Sequence, residues 1–212
     1  MIKSLMFKEF RLSVSPLLWL VVVFPFMLLI PSWIFFLALA YVYLAFMVIC
    51  QTDRANQDLF FVRSLPVPKS GIVLARTCTV VIFQVVQLVL GAVCAVIRHA
   101  LYSGNNAAGM NPNLAFFGLV MVMYAVFNLI FLPGYYKRAY RMLWPILGGA
   151  IISVVVGAVL TSVPMAIPVL NDRGLGHFGY QIVVFLIGVV VYAGLTWLAY
   201  RKAASNFEKV DL

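Results

Sequence analysis

Acidic side chains are almost missing from this sequence. Its 212 residues hold six of them, Glu9, Asp53, Asp58, Asp172, Glu208 and Asp211, and charged residues of both signs make up 10% of the chain. A soluble domain carries roughly 25%, so this chain cannot cover itself with a wettable surface and must be solvated by lipid. No acid falls inside an apolar run. That argues against a carrier driven by protons or sodium, which marks its ion path with ionisable groups inside the membrane.

Catalytic chemistry is equally sparse. Cys50, Cys78 and Cys94 lie in or beside apolar runs without CxxC or CxxH spacing and read as small buried hydrophobes. His99 and His177 are far apart in connecting segments, and no HExxH arrangement occurs. There is no GxxxxGK[ST] phosphate loop, no GxGxxG turn and no paired-aspartate pattern of the kind lipid-head-group transferases use. The expectation is therefore no catalytic residue, no metal site and no cofactor bound by this chain. If it transports anything, the energy comes from another subunit.

What is present is apolar residue after apolar residue, 65% of the chain. Six runs, near 16–31, 33–50, 71–97, 114–133, 143–163 and 180–200, approach the roughly 20 residues that cross a hydrocarbon core as helix. They lack the strict alternation of a lipid-facing strand, so helices and not a barrel are predicted. Pro25 should kink the first run, the Pro31-Ser32-Trp33 corner should fold the first two into a hairpin, and Pro164 and Pro168 should end the fifth.

The 15 bases sort by side. Lys3, Lys8, Arg11, Arg54, Arg63, Lys69, Arg76, Lys137, Arg138, Arg141, Arg201, Lys202 and Lys209 fall on one side, and only Arg98 and Arg173 on the other. This positive-inside bias places both termini in the cytoplasm. Bases spread over four segments suit anionic lipid, not a nucleic-acid groove, so the net charge of +9 is no sign of a nucleic-acid partner. Trp19, Trp144, Trp197 and Tyr200 fall near the inner interface, and Trp33 and Tyr180 near the outer one. The basic N-terminus has the look of a signal peptide, but its apolar run is too long for one and reads as an anchor. Residues 1–13 put Ile2, Leu5, Met6 and Phe10 on one helical side and Ser4, Lys8 and Arg11 on the other, as for a helix lying flat in the interface.

One stretch breaks the apolar pattern: DRANQDLFFVRSLPVPKSGIVLAR, from Asp53 to Arg76. Acids early and Arg63 late suit a short helix dipole, Pro66 stops it, and Ser70 can cap a helix starting at Gly71. Leu59, Phe60, Phe61 and Val62 would stand among charges on a cytoplasmic loop, as in a surface that docks another protein, or would dip into the lipid interface.

Here the chain resembles a family. "LMFKEFRL" and above all "RSLPVPKSGIVLART" are similar to the permease subunits of type 2 ABC exporters. The likeness is to the short six-span group that includes the Pmt-type exporters of phenol-soluble modulins and related bacteriocin-immunity permeases. Pro68 and Thr77 depart from the usual Ser or Thr and Tyr. The resemblance implies an all-α polytopic membrane protein with six transmembrane helices, an N-terminal interfacial helix and a short cytoplasmic coupling helix between helices 2 and 3. In that organisation 1–212 is a single transmembrane domain. It comprises an interface helix at 1–13, a hairpin at 16–50, a coupling segment at 51–70, helices 3–4 at 71–133, helices 5–6 at 143–200 and a cytoplasmic tail at 201–212. Asp53, Arg54, Asp58, Leu59, Phe60, Phe61, Arg63 and Leu65 would meet a separate ABC ATP-binding subunit, which would bind ATP and magnesium. Two such subunits would join two permeases, as homodimer or heterodimer, in a bacterial cell membrane. The implied cargo is an amphipathic or antimicrobial peptide, with a self-immunity permease or a non-transporting scaffold or regulatory subunit as alternatives.

Polar residues inside the runs raise a further question. Gln84, Gln87 and Asn128 could line a peptide path or simply bond helix to helix. Small residues at steps of four, Gly149, Ser153, Gly157 and Thr161, and the face Gln84, Gln87, Gly91 and Ala95 predict close helix contacts.

Overall fold

The computed structural model describes residues 2–9, 11, 16–58, 61, 67–137, 143–173 and 177–210, and all regular structure among them is helical. The helices are α1 (Ile2–Lys8), a 3-10 helix (Pro16–Leu29), α2 (Phe35–Ala40), α3 (Val42–Ala55), α4 (Lys69–Leu101), α5 (Leu114–Lys137), α6 (Leu143–Ala166), α7 (Pro168–Asn171) and α8 (Phe178–Glu208). Among the described residues five stretches are long and apolar enough to cross a membrane: Phe35–Ala55, Lys69–Leu101, Leu114–Lys137, Leu143–Pro164 and Phe178–Glu208.

The first expected span is the exception. It forms a 3-10 helix of 14 residues with Pro25 inside it. A proline has no N–H to give and crowds the preceding turn, so a regular α-helix is costly there. Pro25 cannot donate to the Val21 carbonyl four residues back, as an α-helical residue would, and the Gln87 side-chain amide donates to that oxygen at 2.6 Å. The Pro31-Ser32-Trp33 corner follows, with Ser32 in the left-handed region at φ 56°.

Two further expectations shift. Asp53 and Arg54 belong to the last turn of α3 and do not open a new helix; the chain turns at Asn56 and Gln57, the latter at φ 50°. An acid therefore does lie within a candidate span, because an arginine on α4 neutralises it. Helix α4 begins at Lys69 after Pro68, without a side-chain cap from Ser70.

Helix α5 is the centre. Its most extensive contacts are with α8 and α6. Tyr43 and Phe46 of α3 stack with Phe127, and Phe127 with Phe131, at centroid distances of 4.1, 5.5 and 5.1 Å. Gly118 and Gly188 form the α5–α8 crossing: a Cβ on Gly118 would stand 2.7 Å from the Phe185 Cα, and one on Gly188 would strike Gly118 backbone at 2.7 Å. Backbones this close require glycine on both sides. The four-step stripe of α6 turns inward as its spacing predicts, with Gly149 against Phe127 and Gly157 against Met123 and Phe36. Ile151, Ile152, Val155, Val159 and Val163 of the same helix are exposed.

Candidate functional site: a buried ion cluster and a polar core

At one end of the bundle α1, the C-terminus of α3 and the first turns of α4 share a cluster of charges. Arg76 Nη2 lies 2.9 Å from Glu9 Oε2 and 2.6 Å from Asp53 Oδ2. Lys8 Nζ lies 2.5 Å from Asp58 Oδ2 and 3.7 Å from Glu9 Oε1. The Tyr135 hydroxyl of α5 donates to Asp53 Oδ2 at 3.4 Å. Glu9, Asp53, Asp58 and Arg76 are all buried. Burial pushes the Glu9 carboxyl above the usual carboxylate range, against the opposing pull of Arg76. Three acids face two bases here, so a proton on Glu9 would leave the cluster neutral.

Buried charges persist only when paired, because an unpaired one costs several kcal/mol. This pairing ties three separate segments together. The N-terminal α1, the helix entering the connection and the helix leaving it cannot shift independently without exposing or orphaning a charge. The C-terminus joins at the same place: Lys69 Nζ donates to the carbonyls of Glu208 at 3.1 Å and Val210 at 3.2 Å and stands over the Phe207 ring.

Of the residues expected to dock a partner, Asp53 and Asp58 point into this cluster, while Arg54 and Phe61 are exposed, Phe61 at 57%. Leu59, Phe60, Arg63 and Leu65 lie outside the described residues. Sequence reasoning missed Lys8, Glu9 and Arg76 as members of one site. The available signal was the scarcity of acids, since three of the six converge here.

Gln84 and Asn128 form a reciprocal amide pair in the bundle interior. Gln84 Nε2 donates to Asn128 Oδ1 at 2.8 Å, and Asn128 Nδ2 donates to Gln84 Oε1 at 3.0 Å. Asn128 Nδ2 also donates to Thr196 Oγ1 at 3.1 Å, and the Tyr192 hydroxyl donates to Gln84 Oε1 at 2.7 Å. Helices α4, α5 and α8 are thereby joined. Gln84, Gln87 and Asn128 are at most 1% exposed. Gly91, on the same face, lets Leu39 and Phe117 approach, within 3.1 and 3.3 Å of where a Cβ would stand.

The opposite end is sewn together by asparagines. Asn111 donates to Asn171 through its backbone N–H and its side chain, both at 2.8 Å. Asn113 Nδ2 donates to the Leu170 carbonyl at 2.7 Å while its Oδ1 accepts from Phe116 N, capping α5. Arg98 donates to the Leu28 and Ile30 carbonyls, both at 3.3 Å, closing the exposed end of the 3-10 helix. Among the described residues no group of three or more His, Cys, Asp or Glu is placed to hold a metal ion.

Five long apolar helical stretches among the described residues, with apolar outward faces and short polar networks inside, define a polytopic helical membrane protein. The chain belongs to the ABC-2 family transporter proteins, whose family model matches residues 4–208. Proteins of this family are membrane permeases that work with an ATP-binding subunit. No curated protein and no solved structure matches the chain.

Proposed function

We propose that this chain is the permease subunit of an ATP-driven exporter of amphipathic or antimicrobial peptides, acting as two permeases with two ATP-binding subunits in a bacterial cytoplasmic membrane, with both termini cytoplasmic. The observation that carries the reading is the Lys8–Asp58 and Glu9–Arg76–Asp53 cluster. A subunit driven from outside needs a contact segment rigidly joined to the helices it moves. The cluster joins α1, the connection after α3 and α4 at the base of the segment bearing exposed Phe61. The 3-10 helix completes a sixth crossing: at about 2.0 Å per residue, 14 residues reach about 28 Å. The peptide cargo rests on the resemblance of the "RSLPVPKSGIVLART" stretch. The amides of Gln84 and Asn128 are spent on each other, which favours a packing role for them and a peptide path between two copies.

Phe60→Ala/Phe61→Ala should insert normally yet lose its ATPase. Truncating a docking anchor costs on the order of 2 kcal/mol, roughly thirtyfold in affinity. The test is co-purification of a co-expressed ABC ATP-binding subunit, at matched membrane levels, followed by ATP hydrolysis in lipid. Equal recovery and equal turnover for wild type and variant would refute the coupling role.

A further inference from the structure

At the asparagine-sewn end, α4, α5, α8 and the connections at 111–113 and Arg173 line a half-open groove of about 520 Å³. Its lining is largely apolar, with Ala92, Val96, Leu114, Phe117 and Phe178, and among the described residues its polar members include His99, Arg173 and Gln181 but no acid. Arg173 donates to the Tyr102 carbonyl at 2.8 Å and to the Gly104 carbonyl, which holds the guanidinium in place and leaves other N–H groups unused. The neighbouring acid, Asp172, faces His177 at 2.9 Å.

A second observation gives the ligand its shape. Val85, Val89, Ala92, Val96 and His99 recur at steps of four and three along α4 and so share one face. Val85, Val89 and Val96 are exposed, and Ala92, Val96 and His99 line the cavity. From Val85 to Val96 the helix rises about 16 Å, close to half of a hydrocarbon core about 30 Å thick. An apolar track one leaflet deep thus ends at a mouth that carries the Arg173 guanidinium.

We propose that this track and cavity bind one anionic membrane lipid from the leaflet at this end, its acyl chain along Val85, Val89, Ala92 and Val96 and its phosphate at Arg173 and His99. The phosphate accepts charge-assisted hydrogen bonds from the guanidinium, and the track supplies the apolar contact that a free phosphate could not use.

The site belongs to the permease alone, so its test needs no ATPase and stands apart from the coupling experiment. Detergent-purified full-length chain is titrated with phosphatidylglycerol or phosphatidylcholine of identical acyl chains, and bound lipid is counted by native mass spectrometry. Wild type should retain one phosphatidylglycerol at least tenfold more tightly than phosphatidylcholine. Arg173→Gln/His99→Gln should reduce retention to the phosphatidylcholine level. Because Arg173 also tethers a loop, Ala92→Phe serves as the second variant: it fills the apolar wall, leaves every Arg173 contact intact, and should release the lipid with unchanged elution and helicity. Equal binding of the two lipids, full retention by a folded Ala92→Phe protein, or displacement of the lipid by equimolar inorganic phosphate would each overturn the proposal.

Discussion

Arg76 is the residue on which most depends. It pairs with Glu9 and Asp53 at once, and both acids are buried. Arg76→Gln should destabilise the detergent-solubilised protein by about 3–5 kcal/mol, the usual consequence of removing one side of a buried ion pair. Neutralising the trio together, Arg76→Leu/Glu9→Gln/Asp53→Asn, should recover much of that loss, because only the Lys8–Asp58 pair then remains charged there. Thermal unfolding of the two variants against wild type checks both, and equal loss in both would mean the pairing is not the cause. Asn128→Leu should act more weakly, by about 1 kcal/mol, since hydrogen bonds between membrane helices are individually modest.

Among the elements, the contact of α5 with α8 is the least forgiving. Gly188→Leu must push backbone from backbone, since the nearest atoms to a new Cβ belong to Gly118 and not to a movable side chain. A loss of about 3 kcal/mol or more is expected. Gly194→Ala, on the same helix with nothing within 4 Å, should be neutral or gain up to about 1 kcal/mol. Unfolding of the pair in one detergent checks the contrast. The elements themselves were largely legible: long apolar runs give α4, α5, α6 and α8, and small residues at steps of four on α6 mark its packed face. The crossing of Gly118 on Gly188 was not, because neither glycine sits in a repeating stripe and only the tertiary path brings them together. The 3-10 helix was also beyond pattern reading, since Pro25 predicts a break without saying what replaces it. The same holds for the ion cluster, whose members come from three separated segments; charge order along the chain pointed Asp53 and Asp58 outward, and an arginine two turns into α4 turned them in.

For the molecule as a whole, the distribution of bases predicts an orientation that labelling can test. With the native cysteines replaced, Ser103→Cys should react with an impermeant thiol reagent in intact cells and Ser205→Cys should not; both positions are exposed. Asn171 is unsuitable as a reporter because it holds Asn111. Labelling at position 205 from outside would invert the topology.

Arg76 and Arg98 stand near opposite ends of α4, both buried by the protein around them, and about 33 Å of helix lies between them at about 1.5 Å per residue. One is anchored by carboxylates and the other by the carbonyls of Leu28 and Ile30, so neither can slide far to suit its surroundings. The helix consequently acts as a ruler. A bilayer thinner than this interval leaves valine and leucine in water, and a thicker one draws the polar segments that hold the two arginines toward oil; either mismatch costs fractions of a kcal/mol per Å. Host membranes would then be discriminated by thickness, with the melting temperature in nanodiscs peaking where the hydrocarbon layer is about 33 Å and falling with shorter or longer acyl chains.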